Sequence, residues 1–287
     1  MAILITGGTG KTASRIAKYC LDSKIPFLVA SRKGQSISSE SYPAVDFDWT
    51  NSATFRNPFQ YKFPNGEGID KVYLVGPDTA DPISEMAPFI DLAKEQGVKK
   101  FIYFIGSSAE LGGHYVGKVW KKLAESEIEY TVLRATWLMD NFLSWQHGAT
   151  IKNENKIYSA CGDGQIPFIS ANDIARMGFF LLTDPKPHET NYRVLGPEPL
   201  TFDQVAEKLS QGIGRTIQHV KISEQESCER LVNFGMSEYL SRFLAKIEVG
   251  TANGAENFIG NDVEKVTGKA PETFEAWVAD NKGAFEK

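Results

Sequence analysis

Apolar residues recur along the chain in two rhythms. Six short runs are rich in β-formers: Ile3-Leu4-Ile5, Phe27-Leu28-Val29-Ala30, Ala44-Val45-Asp46-Phe47, the stretch from Lys71 to Pro77, Lys100 to Ile105, and Tyr130 to Arg134. The first, second and fifth are nearly continuous rather than alternating, as strands buried on both faces of a parallel sheet are. Between the runs the spacing turns helical. Ala13, Ile16, Ala17, Cys20 and Leu21 follow the first strand, and Met86, Phe89, Ile90 and Ala93 follow the fourth. Residues 50–68 are polar, with Pro58 and Pro64, and read as a helix fragment and a loop. Strand and helix alternating in this way predict an α/β fold, a doubly wound, Rossmann-like parallel sheet with right-handed crossovers.

The alternation continues towards Pro199 and changes from there. The run from Gly162 to Ser170 reads as a turn leading into a strand. Ser170 or Asn172 then caps a helix carrying Ile174, Ala175, Met177 and Phe180. A further strand is expected over Tyr192–Leu195. Thr201 with Gln204 makes a capping box for a helix through Leu209, ended by Gly212 and Gly214. A short strand, Gln218 to Ile222, and several helices complete the chain. The expected division is a dinucleotide-binding domain of residues 1–136 and 171–198, and a smaller, mostly helical lobe of residues 137–170 and 199–287 that covers the substrate.

Composition narrows the partners. A formal charge of −5 with no basic block argues against nucleic acid. No apolar run approaches the ~18 residues of a membrane span. The first strand begins at once, which leaves no room for a leader. Cys20, Cys161 and Cys228 are odd in number and far apart, so neither disulfides nor a zinc site is expected, and a reducing cytoplasm suits them. The four histidines are scattered, and no metal is expected.

The chemistry starts at Thr6-Gly7-Gly8-Thr9-Gly10-Lys11-Thr12-Ala13, between the first strand and the first helix. Glycines there let the backbone bend and approach a pyrophosphate, and Ala13 lets the helix pack on the strand. The free N–H groups and dipole of the helix start then face the phosphates. Gly7 and Gly10 are expected to make the bend. The resemblance of Gly10-Lys11-Thr12 to a triphosphate P-loop fails, because Ile5 stands where that motif needs glycine.

Dinucleotide folds place an acidic residue about 20 residues after the glycines to hold the ribose hydroxyls. Ser31-Arg32-Lys33 occupies that place here. A carboxylate would repel a 2′-phosphate, whereas Arg32 can grip one, so NADP is expected over NAD. Asp48 and Trp49, after the third strand, are candidates for the adenine, with a surface loop as the competing reading. The cofactor contacts expected are Gly7, Thr9, Gly10, Lys11, Thr12, Ser31, Arg32, Asp48, Gly76, Pro77, Lys118 and Thr136. The catalytic candidates are Tyr115 and Lys118. They stand three residues apart, not the four of a short-chain dehydrogenase Tyr-x-x-x-Lys pair, whose lysine position holds Val119. After the sixth strand, Trp137, Met139, Asn141, Phe142 and Phe168 are candidates for a substrate wall, and Trp145 joins the aromatic group. Ordinary core is the alternative.

Several blocks together resemble the NmrA-like, atypical short-chain dehydrogenase family. They are the glycine corner, Ser31-Arg32, Gly117-Lys118-Val119, the stretch Thr131 to Phe142 with its Leu-Arg-Ala-Thr-Trp-Leu-Met-Asp-Asn-Phe sequence, and Gly162-Asp163-Gly164-Gln165-Ile166-Pro167-Phe168. Within the family the resemblance is to the fungal ergot-alkaloid reductases. It implies an NADP-dependent reductase that delivers hydride to a cyclic iminium formed from chanoclavine-I aldehyde or a derivative, with an indole alkaloid as its small-molecule substrate. Hydride turns an iminium cation into a neutral amine without a proton donor, so a missing Tyr-x-x-x-Lys pair is consistent with it. Asp140 could offset the iminium charge. Family members that bind the dinucleotide as non-catalytic redox sensors, or that reduce quinones or enones, supply the alternatives.

Overall fold

The protein is described here by a computed structural model covering residues 1–39 and 42–286; of Trp145 and Gln146 only the backbone is described. Seven strands form the main sheet: β1 (Ala2–Ile5), β2 (Phe27–Ser31), β3 (Ala44–Asp46), β4 (Ile69–Leu74), β5 (Lys100–Gly106), β6 (Glu129–Ala135) and β8 (Asn191–Val194). Their order is β3-β2-β1-β4-β5-β6-β8. The pairs from β3 through β5 are all parallel, with Ile5 beside Val29 on one side and Tyr73 on the other. The order reverses between β1 and β4, so the glycine corner that follows β1 lies at the topological switch point, where such sheets hold ligands.

Two compact units are distinguishable. The first comprises residues 1–134 and 174–193, and the second residues 135–173 and 194–287. In the first, every residue of β1 is buried. Helix α1 (Lys11–Asp22) lays Ala13, Ile16, Ala17 and Cys20 against the sheet. Leu21, expected on the same stripe, is instead exposed. Helices α4 (Pro82–Glu95) and α5 (Val116–Ala124) are separated along the chain by β5, and bury Phe89, Ile90, Val119 and Trp120 with Leu74, Phe101 and Tyr103. Between β2 and β3 runs α2 (Gly34–Ile37), and between β3 and β4 runs α3 (Asn57–Gln60). On the other side Tyr19 of α1 stacks on Phe179, centroids 5.5 Å apart. Phe179 belongs to α7 (Ala171–Thr183).

The second unit has a two-stranded parallel sheet of β7 (Lys156–Ser159) and β9 (Gln218–Lys221). Around it lie α6 (Trp145–Glu154), α8 (Phe202–Ile213), α9 (Glu224–Asn233), α10 (Glu238–Ala252), α11 (Asp262–Thr267) and α12 (Phe274–Asp280). The capping box at Thr201 forms in both directions, with Gln204. Gly212 lies inside α8 rather than ending it, and Gly214 in the left-handed conformation is the true stop. The expected strand before Ser170 is absent. Residues 162–170 make only single bridges, Leu138 with Ile169 and Ile166 with Leu200. Pro167 has no N–H to give, and the Phe168 N–H turns back to the Ile166 carbonyl at 3.0 Å, so no ladder can continue. Among the described residues no helix is long and apolar enough to cross a membrane.

One buried carboxyl carries a pH prediction. Glu248 on α10 accepts from the Ala160 N–H at 2.8 Å and the Ser227 hydroxyl at 2.6 Å. Burial nevertheless holds it above the ordinary glutamate value of 4.5. A group raised in the fold stabilises below its unfolded value and loses that contribution as pH rises through the folded one. Glu248→Gln keeps the acceptor and removes the titration. Relative to wild type, its melting temperature should therefore rise as pH climbs from about 4 towards 8. A difference in melting temperature that stays flat over that range would refute it.

Candidate functional site

The site begins with Thr6, fully buried at the end of β1. Its hydroxyl accepts from the Val75 N–H at 2.7 Å, and its own N–H donates to the Tyr73 carbonyl at 3.0 Å. These bonds clip the end of β4 to the end of β1, side by side at the switch point. The chain then bends at Gly7 and Gly8, at φ 74° and 22°. Gly8 also needs its missing Cβ, which would stand 2.5 Å from that of Ser31. Gly10, expected to share the bend, does not. It caps α1 at φ −67° and ψ 164°, ordinary extended backbone. Its constraint is the Gly7 carbonyl, which accepts its N–H at 2.7 Å and would lie 2.9 Å from a Cβ.

Among the described residues no side chain caps α1, and its first turn holds no acidic residue. The first intrahelical bond is Ser14 N–H to the Gly10 carbonyl, so the N–H groups just before it face away from the helix's own carbonyls. That arrangement suits an anion. Thr12 is a correction. Its hydroxyl is buried and accepts from the Tyr73 phenol at 3.1 Å, so the side chain serves the core and only the backbone is left for a ligand.

A cleft of about 470 Å³ opens from this corner. It gathers Gly7, Thr9, Ser31, Arg32, Asp48, Gly76 and Pro77 of the expected contacts. It also brings in Phe47, Thr50, Asp78 and Thr79, which the sequence reading passed over. Trp49 lines it too, propped edge-on against Phe47 and Phe89 at 4.8 and 5.3 Å. Asp48 accepts from both the N–H and the hydroxyl of Thr50 at 2.9 Å. Those bonds, with Arg32 adding, hold its carboxyl below the usual range. The Asp-x-Thr spacing is a readable turn signal for this lock. Arg32 is exposed and follows the last residue of β2.

Tyr115 and Lys118 lie after β5, outside that cleft's lining. Tyr115 is half-buried at the start of α5 and Lys118 is exposed in its first turn. In the second unit several expectations change. The Thr136 hydroxyl is buried and donates to the Pro167 carbonyl at 2.6 Å, which commits it to holding the Gly162–Phe168 segment, not a cofactor. Met139, Phe142 and Phe168 are each 1% exposed. Phe142 packs at 5.5, 6.0 and 5.6 Å from Phe168, Phe202 and Phe274. These three residues are core and offer a ligand no face. Trp137 and Asn141 remain half-buried. The Trp145 side chain falls outside the described residues. Asp140, the candidate counter-charge, is 3% exposed and accepts the Ala171 N–H at 2.8 Å at the start of α7, so it is spent on the fold. Among the described residues no cluster could hold a metal.

Comparison with known proteins adds three findings. The sequence profile of the NmrA-like family matches residues 1–278. Festuclavine synthase II of Penicillium roqueforti is 41% identical over 277 residues, covering 96% of each chain, and agroclavine dehydrogenase of Claviceps fusiformis is 39% identical, covering 99% of each. An NADPH-dependent quinone oxidoreductase of Escherichia coli, solved with NADPH, superimposes with a TM-score of 0.80 over 97% of this chain and 99% of its own. At 23% identity that likeness establishes a shared fold.

Proposed function

The chain belongs to the NmrA-like family, and from that premise we propose that it is an NADPH-dependent reductase of a cyclic iminium on an ergot-type indole alkaloid. The observation that carries the cofactor choice is Arg32. It stands at the end of β2, where an NAD enzyme keeps a carboxylate, and opens on the cleft that the glycine corner shares. The uncapped start of α1 fits the pyrophosphate. Asp48, kept ionised by Thr50, suits the adenine amine, and Trp49 its ring. When bound, NADPH supplies the hydride. The work of the chain is to hold and orient, with Lys118 directed to the nicotinamide ribose. An alkaloid is supported by relatives that are festuclavine synthases and agroclavine dehydrogenases. An iminium is supported by the three-residue spacing of Tyr115 and Lys118, which suits a reaction without an acid.

The experiment is NADPH oxidation by the purified protein on adding a cyclic iminium, with NADH and a quinone in parallel. Turnover of the iminium with NADPH, at least about tenfold faster than with NADH, is the expected result. Tight NADPH binding with no turnover of any acceptor would replace the reductase by a non-catalytic sensor. Turnover of the quinone alone would move the substrate class.

A further inference from the structure

The hairpin of α9 and α10 has an inner and an outer side. The inner side is core: Ser227 and Leu231 of α9 and Ser241, Ala245 and Glu248 of α10 are buried. On the outer side the helices part into a groove of about 530 Å³. Glu224, Gln225, Cys228 and Glu229 of α9 line one wall, and Arg242, Ala245 and Lys246 of α10 the other. Side chains three or four apart share a helix face. One more step along each face reaches Val232 on α9 and Tyr239 on α10, at the end where the helices join. Val232, Phe234 and Tyr239 there leave 40, 45 and 55% of their surface in solvent. Large apolar side chains gathered beside a groove mark a contact surface.

The charges stand in two rows. The α9 wall carries Glu224 and Glu229, and the α10 wall Arg242 and Lys246. Each row bonds along its own helix. Glu229 accepts from Gln225 at 2.9 Å, and Arg242 donates to Glu238 at 2.6 Å. Among the described residues no ion pair crosses the groove, and Lys246 makes neither a hydrogen bond nor an ion pair. An acidic row beside a basic row is its own complement. A two-fold rotation through the groove lays α9 of each copy over α10 of the other, acid on base. The same rotation sets the apolar end of each hairpin against the other copy's groove. Because patch and groove adjoin, the contact closes at two copies and does not propagate.

We propose that the chain forms a two-fold dimer through the α9–α10 hairpin, with Val232 and Tyr239 of each copy covered by the groove of the other. Two short helices make a face at the small end of specific interfaces, so the dimer is reversible and depends on concentration. Cys228 supplies an internal reporter. It is half-buried in the groove wall, so the second copy covers its thiol. Cys20 and Cys161 are buried, and burial holds both thiols above their usual range, so alkylation of the folded protein reads Cys228.

Sedimentation velocity of the full chain tests this from about 1 to 200 µM, the span in which a small interface associates. Wild type should pass from monomer to dimer within it. Tyr239→Glu should weaken the dimer at least about tenfold, as loss of an aromatic anchor does. Measured on dilute monomer, its melting temperature should match wild type, because the side chain is exposed. Lys246→Glu should also weaken the dimer. Lys246→Glu combined with Glu229→Lys exchanges a charge between the rows and should restore it to within about threefold of wild type. Iodoacetamide labelling of Cys228 should slow as wild type dimerises and stay fast in Tyr239→Glu. A monomer at every concentration overturns the proposal. So does a dimer that neither Tyr239→Glu nor Lys246→Glu disturbs, which would place the contact on another face, or Cys228 labelling that ignores concentration.

Discussion

Arg32→Ala will weaken NADPH binding by about 10- to 100-fold and leave NADH within about threefold, the loss of one charged hydrogen-bonding group. The side chain follows β2 and opens on a cleft with the glycine corner behind it. Arg32 is exposed, so solvent screens it and the effect should fall in the lower half of that range. Screening also predicts that the gap between the two cofactors narrows as salt rises. Ser31 cannot replace the charge, because its hydroxyl is neutral, and it already accepts the Lys33 N–H at 3.3 Å. Titration calorimetry of both dinucleotides decides the matter. Equal weakening of NADPH and NADH would show that Arg32 shapes the turn and does not read the 2′-phosphate.

The second large effect concerns Gly34, three residues after β2. A Cβ there would lie 1.9 Å from the Val45 carbonyl carbon, 2.0 Å from its oxygen and 2.5 Å from the Asp46 nitrogen. All three are backbone atoms of β3, so no rotamer relieves the clash. The strand or the turn must move, and the bond from the Gln35 N–H to the Asp46 carboxylate at 2.9 Å goes with it. Gly34→Ala should therefore destabilise by more than about 4 kcal/mol, the far tail for single substitutions. What folds should bind NADPH poorly, since Arg32 rides on the same turn. Denaturant unfolding measures it, and a midpoint within error of wild type would show that the turn yields easily.

Gly34 also marks how far the sequence could be read. Ser31-Arg32-Lys33 was legible because an arginine in place of a carboxylate is a local signal. The glycine beside it was not, since its reason lies in β3, eleven residues on. The first unit was legible for the same cause. Its strands β1, β2 and β5 are apolar runs, almost wholly buried, and its helix α1 carries one periodic stripe. The second unit was harder. Lys156–Ser159 is too short and polar to announce β7, and its partner β9 lies some 60 residues away. Phe142 and Phe168 are aromatic whether they line a pocket or fill a core, and only their packing distances decide. Thr12 and Thr136 stood in the right motifs with hydroxyls turned to the core. Gly8 was passed over for Gly10, because spacing cannot tell which glycine in a run takes positive φ.

Residues 174–193 return to the first unit after the chain has left it at residue 134. As a nascent chain leaves the ribosome, β6 is complete at Ala135, but its outer neighbour β8 does not exist until residue 191 emerges. Through that interval β6 is an open edge, with Thr131, Val132 and Leu133 in its middle, and unpaired edges of this kind invite other chains. Synthesis at about 5–20 residues per second makes the exposure last several seconds. A pause in translation between those points would lengthen the window for aggregation. Truncating the chain between Ala135 and Asn191 would make it permanent, so no single cut after β6 can yield the first unit on its own.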